Sequence, residues 1–464
     1  MVRGIVWFRN DLRLHDNEAL TDAVKTCDEV LPVYVFDTRI FRGYTKFGFR
    51  KIDRHRARFV LESIQDLSDQ LKALGLKLYI RIGKPEEEVL SLAKEVKSSW
   101  VFCNRERTQE EVAVQDTLEH SLWTVGQEMR YYRGKMLYHT ADLPFPVTHT
   151  PDIFTNFRKE VEKFVKIRKP IAAPQASEVR PVSLSLDFGK VPTLTDFNLS
   201  EEEDDVCVIQ GGESAALAQL DLYLWQSHRI QNYFNTRNEL LGDTFSSRMS
   251  AYLAQGCISP KKIYSELKRY EESEVSNKST YWLFFELLWR DFFRLIGKKY
   301  GNAIFQSGGT AGKSTKPIES DWKKIELWTT GQTGIPFIDA NMRELSRTGF
   351  MSNRGRQNVA SFFIHDLKEN WLIGAEYFES LLIDYDPCSN YGNWNYLAGV
   401  GCDPRENRYF NILAQARKYD ADGKYVKHWI PGLAESGSQS VHTPDYTQVD
   451  GYSAPVVPFE HWHK

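Results

Sequence analysis

Val30-Leu31-Pro32-Val33-Tyr34-Val35-Phe36, then Val60, Ile64, Leu67, Leu71 and Leu74, then Lys77-Leu78-Tyr79-Ile80-Arg81-Ile82: these three pieces decide the fold. The outer two are short apolar runs rich in β-branched and aromatic residues, the mark of buried strands. The middle set repeats at i, i+4, i+7, i+11 and i+14, one apolar face of a 3.6-residue period. Working outward, Ile5–Phe8 and Trp100–Cys103 are two further strand-like runs, and Pro85 opens another helix from its first turn. Strands alternating with helices of this length predict a parallel, doubly wound, Rossmann-like sheet over residues 1–135. Such sheets take ligands at the carboxyl ends of their strands. No GxGxxG follows the first strand, so an ordinary dinucleotide site is not supported there.

Beyond this region the pattern changes twice. Residues 136–205 are punctuated by Pro144, Pro146, Pro151, Pro170, Pro174, Pro181 and Pro192 and by the acidic run Glu201–Asp205. They read as a long interdomain connection with one helix near Asn156–Val165. Strand patterns then vanish, and residues 206–464 read as an all-α domain. Its expected helices are Glu213–Asn232, Pro260–Tyr270, Ser279–Lys299, Pro336–Arg347, Gln357–Trp371 and Ala375–Ile383.

Composition sets the outer bounds. A chain of 464 residues with 42% hydrophobic content suits two globular domains, and no apolar run of about 18 residues suggests a membrane span. The N-terminus runs into a strand pattern and meets charge at Arg9, unlike a signal peptide. Six scattered cysteines, with no CxxC spacing and no HExxH, argue against a disulfide framework or zinc, and point to a reducing, cytoplasmic setting. A net charge of −3 excludes a bulk polyanion binder but not a local basic groove. The 12 Trp, 22 Tyr and 27 Phe are a heavy aromatic load, explained by a large core or by a ring-binding, electron-carrying protein.

Four segments stand out for chemistry. Gly308-Gly309-Thr310-Ala311-Gly312-Lys313-Ser314 misses a P-loop, because Ser307 stands where the first glycine belongs and no strand leads in. Ser246, Ser247 and Ser250 surround Arg248 just before a helix at Ala251–Gln255, which fits either an anion site for a diphosphate or simple capping. Glu286, Trp289 and Arg290 share one helical face amid Phe284, Phe285, Phe292 and Phe293. Asn353, Arg356 and Gln357 form another face. After it comes Asp384-Tyr385-Asp386-Pro387-Cys388-Ser389-Asn390-Tyr391-Gly392-Asn393-Trp394, too rich in Asn and Gly to read as a helix. That density of amides and carboxylates calls for partners, which a heterocycle with ring N–H and C=O groups supplies.

These segments resemble the photolyase–cryptochrome family. Val6-Trp7-Phe8-Arg9-Asn10-Asp11-Leu12-Arg13-Leu14-His15-Asp16-Asn17 looks like its opening motif, and Thr348–Gln357 with Asp384–Trp394 looks like its flavin-binding core. Asp142-Leu143-Pro144-Phe145 and Asp386–Trp394 are similar to the DASH cryptochromes. Asn353 and Gln357 stand where six-four photolyases carry histidines, and Tyr396 where many bacterial dimer photolyases carry Trp. The resemblance covers essentially the whole chain. It implies an α/β antenna domain, an α-helical FAD domain and a deoxyribodipyrimidine photo-lyase that repairs cyclobutane pyrimidine dimers, preferentially in single-stranded DNA.

Carried over position by position, the resemblance implies roles. Tyr233, Ser246, Ser247, Arg248, Met249 and Ser250 match the diphosphate and ribityl cradle. Arg290, Asn353, Arg356, Asp384, Asp386 and Asn390 match the contacts to the isoalloxazine and adenine, with Arg356 and Asp384 as an ion pair and Asn390 facing flavin N5. Trp394, Trp371 and Trp322 match an electron-transfer chain. Glu286 matches the carboxyl that bonds the dimer, shared with the flavin side of the pocket; Trp289 and Tyr396 match its aromatic walls, and Asn353 and Gln357 complete it. Arg347 and Arg354, with Arg356, make an Arg-rich rim suited to DNA phosphates. Glu111 matches a folate-contacting glutamate, so the expected antenna is 5,10-methenyltetrahydrofolate, although Ile304 and Phe305 do not match the Cys-Lys pair that some relatives place on the pterin. The expected protein is a monomer that acts on single-stranded or locally unpaired DNA, with no membrane partner. The competing class is a blue-light photoreceptor with little repair. The short C-terminal end His461-Trp462-His463-Lys464 favours the enzyme.

Overall fold

The computed structural model describes residues 1–462 except 244, 315–317, 403–407, 439, 450 and 451. Five strands form one sheet: β1 (Arg3–Phe8), β2 (Glu29–Asp37), β3 (Tyr79–Gly83), β4 (Trp100–Asn104) and β5 (Glu128–Tyr132). Their order is β3-β2-β1-β4-β5, and every neighbouring pair is parallel. Ile5 of β1 lies level with Leu31 of β2 and Val101 of β4. Every residue of β2 is buried, as expected for an interior strand covered on both faces.

The helix Arg54–Ala73 buries Val60, Ile64, Leu67 and Leu71, the face that its period predicts. Burying each of these side chains contributes about 2 kcal/mol. Pro85 is the first residue of the helix Pro85–Val96, whose Val89, Leu92 and Val96 close the core against Ile5, Leu31, Val33 and Val101. The fifth strand, Glu-Met-Arg-Tyr-Tyr, carries charge and little apolar signal because it is an edge strand. Arg130 on it covers the Trp100 ring at 3.7 Å.

The chain falls into two compact units, each drawn from several stretches of sequence. One comprises Met1–Ser200, Ile209–Gln231 and Ser247–Asn302; the other comprises Glu201–Val208, Asn232–Ser246 and Ala303–Lys464. No strand is found after β5 among the described residues, so the second half is helical.

Two expected helices are broken. The first, Glu213–Asn232, runs as a helix only to Asp221, then passes through a π turn closed by Ser227 N–H on the Leu222 carbonyl at 3.0 Å. The second, Gln357–Trp371, is two pieces. The helix Asn353–Ser361 continues as a π turn at Phe362–Asp366, closed by Leu367 N–H on Phe362 O at 2.9 Å. Lys368 takes φ +61°, which ends it, and Trp371 starts the next helix, Trp371–Leu381. Apolar periodicity runs through both breaks, so pattern alone does not reveal them.

Candidate functional site

The second unit builds a polar cluster from three helices. Ser352 caps the helix Asn353–Ser361 by accepting from Gly355 N–H at 2.9 Å. On this helix Asn353 is exposed and Arg356 and Gln357 are half-buried. Arg356 donates from both terminal nitrogens to the two oxygens of Asp384, at 3.0 and 2.9 Å, and from Nε to Met351 O at 2.9 Å. The expected ion pair is therefore present, with its guanidinium plane held on three sides.

The segment from Asp384 was expected to be a loop, yet Pro387–Leu397 is a helix. Asp386 caps it, accepting from Ser389 N–H at 2.8 Å, and Pro387 occupies the first turn. Its asparagines, poor helix formers in isolation, bond to backbone carbonyls instead of disrupting the helix. Asn393 Nδ2 donates to Ser389 O at 2.8 Å. Asn395 Nδ2 donates to Tyr391 O at 2.8 Å and Ile304 O at 2.9 Å, while its Oδ1 accepts from Thr310 N–H at 3.0 Å. Much of the amide density that seemed to await a ligand is thus satisfied within the chain. Asn390 differs: its Nδ2 donates to Ala375 O at 3.0 Å, which orients the side chain.

Trp394 lies on the same helix, 2% exposed, with its benzo edge over Gly374; a Cβ at Gly374 would stand 2.3 Å from Cη2 of Trp394. Trp371 is 6% exposed and donates from Nε1 to Ser307 O at 3.1 Å. Trp322, the first residue of the helix Trp322–Thr329, is 51% exposed. Tyr396 is buried with Arg408 over its ring at 5.3 Å, and Tyr233 is buried at the start of a short helix. Ser246 is half-buried.

The expected basic rim is largely committed within this unit. Arg347 pairs with Asp204 at 2.9 Å. Arg354 donates to Gln357 Oε1 and Asn238 Oδ1, both at 2.9 Å, and lies 4.7 Å from the centre of the Tyr419 ring. Burial pushes the Arg354 pKa down from its usual value.

The first unit places the remaining residues. On the helix Lys278–Tyr300, Glu286 accepts from Trp282 Nε1 at 3.0 Å, and Trp289 stacks on Phe154 with ring centres 3.7 Å apart and planes 6° from parallel. Arg290 donates to the carbonyls of Lys135, at 2.7 Å, and Leu253, at 3.1 Å. The helix after the serine cluster begins at Met249, not Ala251. Its cap position is Arg248 at φ +55°, and Ser247 Oγ accepts from the Met249 N–H at 3.4 Å; Ser247 is buried and Ser250 exposed.

Sequence reading missed a buried charge network at the carboxyl ends of β1 and β4. Glu106 binds the Lys135 ammonium and lies 3.4 Å from Arg294. Burial alone would raise its pKa, but Lys135, Arg9 and Arg294 hold it down to about 2. Glu111 accepts from Thr108 Oγ1 at 2.7 Å and Asn10 Nδ2 at 3.1 Å, and burial and the Glu106 charge push its pKa up. The strand order reverses between β1 and β4, the topological switch where such sheets bind ligands. A charged residue two positions past the end of β4 was the available signal.

The second unit's donor set suits a ring that offers both N–H and C=O groups. Asp384 and Asp386 bring carboxylate acceptors, Arg356 brings fixed donors, and Asn390 brings an amide oriented by Ala375. The comparisons with known proteins agree. Residues 282–464 match the FAD binding domain of DNA photolyase and residues 4–175 match the DNA photolyase family. The cryptochrome DASH of Gloeobacter violaceus is 48% identical over 95% of this chain and 88% of the relative, and that of Synechocystis sp. is 46% identical over 95% and 90%. The crystal structure of a Synechocystis cryptochrome superposes with a TM-score of 0.94 at 44% identity, covering 100% of this chain and 98% of that one. An archaeal photolyase from Sulfolobus tokodaii, crystallised with two FAD molecules, gives 0.81 at 28% identity over 99% and 97%. A sheet domain followed by a helical FAD-binding domain, matched along nearly its whole length by these relatives, places the chain in the photolyase–cryptochrome family, among the DASH cryptochromes.

Proposed function

We propose that this chain is a blue-light-driven lyase that splits cyclobutane pyrimidine dimers in DNA, preferentially where the strand is unpaired. The observation that carries this reading is the Arg356–Asp384 clamp together with the oriented amide of Asn390, in a chain whose C-terminal part is a FAD-binding domain. FAD supplies the electron that light delivers to the lesion; the protein holds it and tunes its surroundings. With its Nδ2 on Ala375 O, Asn390 would offer Oδ1 as the acceptor for a ring N–H. Asp384, paired with a fixed cation, would accept a second ring N–H, while Arg356 is held in place because Met351 O accepts from its Nε.

The family likeness supplies the other assignments. Glu286 hydrogen-bonds the dimer, Trp289 and Tyr396 wall it, and Asn353 and Gln357 complete its seat. Tyr233, the Ser246–Ser250 segment and Arg290 serve the cofactor. Phe154 stacks on one face of Trp289. Flipping a damaged base out of a single strand costs less than out of a duplex, which supports the preference for unpaired DNA. Methenyltetrahydrofolate on Glu111 is the proposed antenna, supported by the position of Glu111 at the carboxyl side of the sheet. A near-ultraviolet absorption band distinct from the flavin bands tests it. The reducing, cytoplasmic setting is likewise a proposal; the Arabidopsis thaliana relative is named chloroplastic/mitochondrial. Among the described residues no helix is long and apolar enough to cross a membrane.

The deciding experiment gives fully reduced protein a dimer-containing oligo(dT) under blue light. Thymine is restored, and Glu286→Ala lowers the yield. No turnover of single-stranded substrate with fully reduced flavin overturns the proposal.

A further inference from the structure

We infer that Trp394 has a second hole exit, through Phe363 and Phe378 to Trp328 and onward to Tyr377. The inference rests on the reading that Trp394 is the first donor to photoexcited flavin. The ring neighbours of Trp394 are Phe378, centre to centre 5.2 Å at 77°, and Phe363, 6.2 Å at 88°. Both rings also border Trp328. Phe363 lies 4.5 Å from it, and Phe378 lies 6.2 Å away and within 11° of parallel. Two phenyl bridges therefore join the same pair of indoles. Trp328 then meets Tyr377 at 5.6 Å. Trp371, by contrast, has Tyr391 at 6.3 Å as its ring neighbour.

The polar groups along this path suit its ends. Trp328 is wholly buried and donates from Nε1 to Val359 O at 3.2 Å. The buried carbonyl that accepts the indole N–H holds its proton in place, so that oxidised Trp328 stays the cation. Trp328 thus passes the hole onward instead of trapping it. Tyr377 is half-buried, and its hydroxyl donates to Thr329 O at 2.8 Å. One electron moves from Tyr377 through Trp328 to the oxidised Trp394, both indoles return to their resting form, and the phenolic proton of Tyr377 leaves for water. A thiol in solution then returns one hydrogen atom to the tyrosyl radical. Trp328 and Tyr377 act here as relay residues, not catalytic ones.

The test uses the full flavin-loaded chain, illuminated in the presence of a thiol and followed by transient electron paramagnetic resonance and by flavin absorbance. Trp371→Phe slows light-driven flavin reduction without abolishing it, and shows a tyrosyl signal that narrows when ring-deuterated tyrosine is incorporated. Adding Tyr377→Phe, a conservative change at a half-buried site, removes that signal. Adding Trp328→Phe to Trp371→Phe lowers the reduction rate at least tenfold. If Trp394→Phe blocks reduction and Trp371→Phe blocks it equally, the second exit is overturned while Trp394 stands as first donor. A tyrosyl signal that survives Tyr377→Phe also overturns it. Normal reduction in Trp394→Phe overturns the reading beneath it.

Discussion

Arg356 and Asp384 meet end to end through two parallel hydrogen bonds, with the Asp384 side chain 4% exposed and that of Arg356 25%. Replacing Arg356 with Leu leaves a buried carboxylate without its cation, which costs about 3 kcal/mol. Urea denaturation should show a loss of that order, and the flavin-to-protein absorbance ratio of the purified variant should fall. Lys does not restore the fork geometry, so Arg356→Lys should recover stability only in part. Wild-type stability in Arg356→Leu would refute the role given to the pair.

Glu106 makes the same kind of demand in the sheet domain. Glu106→Gln removes the carboxylate that faces Lys135 and Arg294 and should destabilise the protein by about 3 kcal/mol. The folded pKa is depressed to about 2, against about 4.3 in an unfolded chain. The stabilisation is therefore complete above the unfolded value and disappears as pH falls through the folded one. Acid titrations of stability should show wild type losing ground between about pH 4 and pH 2, with Glu106→Gln losing less over that window.

Gly374 is where Trp394 sets a limit on the neighbouring helix. A methyl group there meets the indole at 2.3 Å, with further ring atoms at 2.9 and 3.0 Å. Trp394 is buried and packed on Phe378, so it cannot simply turn aside. Gly374→Ala should cost about 1–3 kcal/mol by overpacking, and slow light-driven flavin reduction more than Ala substitutions elsewhere on the helix. Thermal melts and steady illumination read the two effects separately.

Asp366 contributes in the opposite direction. Burial raises its pKa to about 6, with His461, Tyr409 and Trp462 pulling it back. His461 Nε2 lies 3.0 Å away and the Tyr409 hydroxyl donates at 3.3 Å. Because the folded pKa exceeds the unfolded one, the buried charge penalises the fold fully above about pH 6, and the penalty fades as pH falls toward about 4. Asp366→Asn should therefore stabilise the protein by about 2 kcal/mol near pH 8 and by much less near pH 5. Melting temperatures across that range test the sign.

The α/β half was legible in the sequence because each of its elements carries its own signal. Val60, Ile64, Leu67 and Leu71 occupy one helical face whatever they pack against, and a central parallel strand such as β2 must be apolar throughout. The family likeness likewise followed from residue order alone. What tertiary structure decided is where polar side chains spend their hydrogen bonds. Asn390 and Asn395 read locally as loop formers, and within the helix Pro387–Leu397 their side chains meet the carbonyls of Ala375 and Ile304 and the Thr310 amide. The same holds for Glu106, Lys135 and Arg294, which come from three distant segments and form a network only once the strands are ordered. Local propensity and periodicity report on short-range contacts, whereas the satisfaction of a buried amide or charge depends on partners that folding alone brings within reach.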